Sequence, residues 1–166
     1  MAVTPWQAGM RVTAGGLNAI TATWSTWTPT WTTTSGIHLP SLGNASVACD
    51  YCQTGDLVTC SFDIQFGSTT NFGASVTTAD NWLFSLPVTS GAASGDTLGF
   101  VSMRMSDPAT LIGRFQANTS TTLRISVDSG RVDSTAVTNT GIIDSLSPWT
   151  WANGHTLHGQ FQYRAA

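Results

Sequence analysis

From Trp24 onward, apolar and polar residues alternate with a period of two, the spacing of a strand that buries one face. Trp27, Pro29 and Trp31 fall on one side of the first such stretch, with Thr28, Thr30 and Thr32 on the other. Pro29 cannot donate a ladder hydrogen bond, which places this stretch at a sheet edge. Residues 47–54 and 57–66, separated by Gly55-Asp56, form the clearest hairpin: Val58, Cys60, Phe62, Ile64 and Phe66 alternate with Thr59, Ser61, Asp63 and Gln65.

After a polar loop at 67–81, Trp82, Phe84 and Leu86 alternate again until Pro87. Three more strands are expected at 98–106, 110–117 and 121–128, turned by Asp107-Pro108 and by Asn118-Thr119-Ser120, and the last at 155–164. Seven or eight short strands with no helical pattern between them predict an all-β, antiparallel sandwich or barrel. A β-sandwich of jelly-roll type over residues 25–166 is the preferred arrangement, with Phe62, Ile64, Trp82 and Phe84 in its core.

Residues 1–24 show little alternation. Thr13 could cap a short helix over 14–20, weakened by Gly15 and Gly16, so this segment reads as an N-terminal attachment arm that packs on a partner.

Composition sharpens the class. The chain holds 27 Thr and 18 Ser but no Lys and no Glu, so residues that favour exposed helices are scarce and residues that suit a pleated surface are abundant. Only 9% of residues are charged, far below the usual quarter, so hydroxyls and amides must keep the surface wet, which suits permanent assembly. Seven Trp and seven Phe supply the apolar burial that a disordered chain lacks. A net charge of −3 without a basic stripe argues against nucleic acid or an anionic membrane as partner. No apolar run has the length of a membrane span and Met1–Met10 has no signal-peptide pattern, so neither membrane insertion nor secretion is expected.

Candidate chemistry is sparse. Cys49, Cys52 and Cys60 crowd one hairpin without the further ligands of a zinc site, and read as strand thiols. With no Glu, a glycosidase would need two of nine scattered Asp residues; GxSxG is absent, and the lack of Lys removes P-loop and Schiff-base chemistry. A Ser-His-Asp triad is not favoured by any local pattern. His155 and His158 leave a strand on opposite faces, and His38 sits alone in a loop, so all three read as hydrogen-bonding residues. No calcium-loop spacing is present. The reading is therefore of a non-enzyme with no catalytic, cofactor-binding or metal-binding residues and no cofactor.

Binding is the other class to weigh. Trp24 and Trp27 have opposite parity, which suggests burial on both sides of the strand and a neighbouring subunit, or else a Trp-rich core with a few exposed rings. Loops 67–81 and 130–147 are the candidate sites for sugar stacking in a lectin-like carbohydrate-binding module, although most aromatics lie on strands, where packing is the stronger reading.

Several segments, in their order, carry a resemblance. Trp27-Thr28-Pro29-Thr30-Trp31, Pro40-Ser41-Leu42-Gly43-Asn44, Phe66-Gly67-Ser68-Thr69-Thr70-Asn71-Phe72-Gly73 and Trp82-Leu83-Phe84-Ser85-Leu86-Pro87-Val88 resemble phage minor structural proteins. The ending Pro148-Trp149-Thr150-Trp151-Ala152-Asn153-Gly154-His155-Thr156-Leu157, closing on Tyr163-Arg164-Ala165-Ala166, is similar to the C-terminus of that group. Arg11-Val12-Thr13-Ala14 and Leu17-Asn18-Ala19-Ile20 resemble the start of virion proteins from phages that infect actinobacteria. The resemblance implies a minor tail or tail fibre protein, assembled in the host cytoplasm into the virion. It would be a homotrimer, joined to other virion structural proteins through the arm and meeting a host cell-surface glycan. A capsid head decoration or cement protein would use the same parts. Residues 91–144 depart from the pattern, and host-specific loops are expected there.

Overall fold

The computed structural model of the protein describes residues 23–77, 79–105, 110–127 and 141–166, together with Gly9, Arg11, Thr13 and Thr21. These residues form eleven strands and no helix. In chain order they are β1 (Ser25–Thr26), β2 (Trp31–Thr33), β3 (Ser46–Val47), β4 (Asp50–Thr54), β5 (Leu57–Gln65), β6 (Trp82–Ser85), β7 (Thr97–Arg104), β8 (Thr110–Ala117), β9 (Thr122–Val127), β10 (Gly141–Ile142) and β11 (Thr156–Arg164). The helix expected over 14–20 and the turn at 107–108 lie outside the described residues.

All pairings are antiparallel, and the hydrogen-bonded order is β1-β4-β5-β11-β7-β8-β9-β6-β2, with β3 added to β5 and β10 to β9. The all-β antiparallel class read from the sequence is thus what forms. It forms as one curled sheet, a half-barrel, and the expected pair of facing sheets in jelly-roll order is not confirmed by this pairing. The two ends of the sheet, β1 and β2, are pieces of one stretch, separated only by Trp27-Thr28-Pro29-Thr30. Trp27 N–H donates to Cys49 C=O (2.8 Å) at one edge and Thr30 C=O accepts from Ser85 N–H (2.9 Å) at the other. Pro29 falls where this stretch passes from one edge to the other, consistent with its missing donor.

The concave face holds the core. Val58, Cys60, Phe62 and Ile64 of β5, Trp82 and Phe84 of β6, and Leu157 and Phe161 of β11 are all buried, as their alternation predicts. At roughly 1.5–3 kcal/mol per large apolar side chain, this row is the main driving force for the curl. The β4–β5 hairpin turns at Gly55-Asp56, where Gly55 takes a left-handed φ of +59°, the first position of a type II′ turn.

Glycines set the curvature opposite. Across β11, β7 and β8 the inward rows read Phe161-Gly99-Phe115 and, next to it, Gly159-Val101-Gly113, an alternation of large and absent side chains. Over Gly99 the rings of Phe161 and Phe115 meet at 4.9 Å, and Phe62 reaches Phe115 at 5.3 Å. A Cβ at Gly159 would run into the Phe100 carbonyl and lie 2.9 Å from the Phe115 ring. Small residues facing inward let the sheet bend tightly while rings from neighbouring strands fill the space.

Candidate functional site

The densest polar network lies at the end of the half-barrel where β2 pairs with β6. Asp80 is 2% exposed, and its carboxylate accepts from the Ser35 hydroxyl, from Thr77 N–H (2.7 Å) and hydroxyl (3.1 Å), and from His38 Nδ1 (2.9 Å). The Ser35 hydroxyl, then the Thr77 amide, then His38 hold this carboxyl well below the usual carboxylate range, because each favours the charged form. Thr33 Oγ1 donates to Ile37 C=O (2.7 Å) within the connection after β2, and Thr34 Oγ1 donates to Ala79 C=O (2.7 Å), tying that connection to the approach to β6.

Ser35, His38 and Asp80 are the residue types of a nucleophilic triad, but their connectivity differs from one. The hydroxyl donates to the carboxylate and not to the imidazole, so no base stands ready to take its proton. The arrangement instead fastens a loop. Its polarity is inverted: Ser35 and His38 turn inward to Asp80, while Ile37 and Leu39 stand 58% and 53% exposed. His38 itself adopts a left-handed φ of +54°, a cost that the buried carboxylate offsets.

The loop at 67–81 is not an open platform. Ser41 and Asn71 form a bridge, Asn44 Oδ1 accepts from Thr69 N–H (2.8 Å), and the loop's one aromatic ring, Phe72, packs against Phe66 at 5.0 Å and Trp31 at 6.0 Å. In the other candidate loop, residues 130–140 lie outside the described residues. Beyond them Trp149 and Trp151 pack against each other and against buried His155. Most described tryptophans therefore fill the interior, and Trp24, 54% exposed, is the exception.

The other two histidines have structural partners. His158 pairs with Asp63 at 3.1 Å on the outer face, and His155 Nδ1 accepts from Ala152 N–H (3.3 Å). Burial lowers the pKa of His155, so the ring is held neutral. All three cysteines are free. Burial pushes the Cys49 thiol up to about 11 and the Cys60 thiol up to about 12. Among the described residues no three His, Cys or Asp side chains are grouped so as to hold a metal ion, and no helix is long and apolar enough to cross a membrane.

The second exposed feature is the outer wall of β5, β11, β7 and β8. Strand register lines up Ser61, Gln160, Phe100 and Arg114 in one row and Asp63, His158, Ser102 and Ile112 in the next. Phe100 and Ile112 are diagonal neighbours here, 63% and 62% exposed. Beside Phe100 runs an open groove of about 470 Å³ lined by Leu98, Gly99, Phe100, Gln160, Phe161 and Gln162, without a charged side chain. A local signal did exist for both residues. Phe100-Val101 and Leu111-Ile112 are adjacent apolar pairs within strands, and only one member of such a pair can face inward. The Asp80 clasp had no such signal, since its partners lie up to 45 residues apart. Comparison with protein families, with curated proteins and with solved structures finds no match for the chain.

Proposed function

We propose that this chain is a non-enzymatic structural subunit of a phage particle, a tail fibre, tip or minor tail protein. Residues 1–24 anchor it to other virion proteins, and residues 25–166 are displayed as a trimer for host-surface contact. The observation that carries this reading is a sparsely charged, curled β-sheet fold that turns apolar side chains outward on a clasped loop and on a sheet wall. Among the described residues, Asp80 and His38 fasten a loop and His158 pairs with Asp63, which suits a part whose work is contact. The order of segments that resembles phage minor structural proteins supports the same reading. Host contact through sugars would fall to exposed Phe100, flanked by Gln160 and Gln162, since the ring faces of most described tryptophans are buried.

The test is deletion of residues 1–24 followed by particle assembly, with electron cryomicroscopy of intact particles to count copies. The expected result is a folded domain that no longer joins particles, and a few full-length copies at one end of the tail. Normal incorporation of the truncated chain would overturn the anchoring role. Many copies over the head would make it a decoration protein instead.

A further inference from the structure

The segment Trp151-Ala152-Asn153-Gly154-His155 leads into β11 through a tight turn that is closed twice between the same two residues. His155 N–H donates to Ala152 C=O (3.2 Å), and Ala152 N–H donates back to the His155 ring at Nδ1 (3.3 Å). Gly154 lets the chain reverse with a left-handed φ of +85°, and its N–H donates to Phe66 C=O (2.8 Å), which anchors the turn to the core. The indoles of Trp149 and Trp151 pack against the imidazole, with ring centroids 6.3 and 6.1 Å away. The ring therefore serves as an acceptor for backbone, and it can do so only while Nδ1 carries no proton. We infer that residues 149–155 form a proton-released latch: protonation of His155 at Nδ1 opens the Ala152–His155 turn and unseats Trp149 and Trp151 while the sheet stays folded. The inference goes beyond the assembly role proposed above and does not depend on it.

Protonation acts on this turn at two points. It sets two donors, Nδ1–H and Ala152 N–H, against each other where a hydrogen bond stood, and it places a charge on a ring that is 4% exposed. Burial disfavours that charge, and among the described residues no carboxylate bonds the ring to offset it. The ionisable side chains nearest along the elements packed around the turn are Asp144, Asp63, Asp80, Arg104 and His158. Asp144 accepts from Leu146 N–H (2.6 Å), Asp63 pairs with His158 at 3.1 Å, Asp80 is held in its clasp, and Arg104 stands exposed across from Thr156. The segment itself is held less firmly than the strand it precedes. Trp149 Nε1 and Ser145 Oγ are buried without a hydrogen-bond partner among the described residues, and Trp151 N–H reaches Ser145 C=O only at 3.5 Å. β11, by contrast, is paired on both sides from Thr156 to Phe161. Opening of the segment therefore requires less free energy than unfolding of the sheet.

Hydrogen exchange on the full-length chain, followed amide by amide and corrected for the intrinsic pH dependence of exchange, tests the latch. The ring is neutral in the closed turn and titrates near its ordinary value of about 6.5 once the turn is open, so opening is rare above that pH and grows as pH falls through it. The opening constant at the Gly154 and His155 amides should rise up to about tenfold between about pH 7.5 and 5.5, the change for one site that only the open form protonates. At each pH it should exceed the constant at the Leu157 and Phe161 amides, which open with the sheet. His155→Asn keeps a neutral acceptor facing Ala152 and should make opening at Gly154 independent of pH, whereas His158→Asn should leave the rise intact. A rise smaller than about twofold, constants equal to those of β11, or the full rise in folded His155→Asn would each overturn the latch. Should His155→Asn fail to fold, the first two results on the wild-type chain decide the matter.

Discussion

At the scale of the residue, the same side-chain type has opposite weight on the two faces of the sheet. Phe62 and Trp82 are fully enclosed, with Phe62 meeting Phe84 and Phe115 at 5.3 Å. Truncating Phe62 or Trp82 to Ala should cost about 3–5 kcal/mol in urea unfolding, because the lost burial is compounded by a cavity. Phe100→Ala should stay within about 0.5 kcal/mol. A second prediction concerns pH. The folded-state pKa of Asp80 is depressed, so its contribution is present above the unfolded value near 4 and is lost as pH falls toward the folded value. His155 is held neutral by burial, so below about 6.5 the unfolded chain takes up a proton that the folded chain refuses. Melting temperature should therefore fall in two steps on acidification, between pH 7 and 5 and again below pH 4. Asp80→Asn should flatten the second step and leave the first, whereas an unchanged acid limb would show that the clasp does not hold the fold.

At the scale of the element, glycines act for two different reasons, and substitution separates them. Gly55 has open space around it, so Gly55→Ala should cost only the left-handed backbone penalty, about 1–2 kcal/mol, in thermal or chemical unfolding. Gly99 and Gly159 face backbone and ring atoms of adjacent strands, so Gly99→Ala and Gly159→Ala must push β11 and β7 apart and should destabilise more than Gly55→Ala. If all three cost the same, the inward glycines do not set the curl. The hairpin of β4 and β5 was legible in the sequence because a two-residue turn and strict alternation are both local. The glycine rows were not, since Phe161, Gly99 and Phe115 become neighbours only through pairing across 62 residues of chain.

At the scale of the whole molecule, the last strand lies in the middle of the sheet. β11 runs between β5 and β7, pairing with β5 from Thr156 to Arg164, and Tyr163 hydroxyl donates to Val88 C=O (2.8 Å) to fasten the segment before β7. A chain ending at residue 155 should lose cooperative unfolding and native circular dichroism altogether, while one lacking residues 1–22 should keep both. Such non-local pairing also predicts slow folding, in the millisecond to second range typical of all-β topologies.

The sequence by itself determined the strand class, the hairpin at Gly55-Asp56 and the inward side of the strands around Phe62 and Trp82, because a period of two and a turn are properties of a few consecutive residues. It favoured a jelly-roll sandwich over a barrel, and the pairing does not confirm that choice. Only the tertiary structure decided that the strands join as one curled sheet with β11 at its centre and that one stretch bridges its ends. It also brought Asp80 to Ser35 and His38, leaving Ile37 and Leu39 facing outward. Those outcomes depend on which distant strands pack best against each other, and that energy belongs to contacts that no local stretch of residues contains.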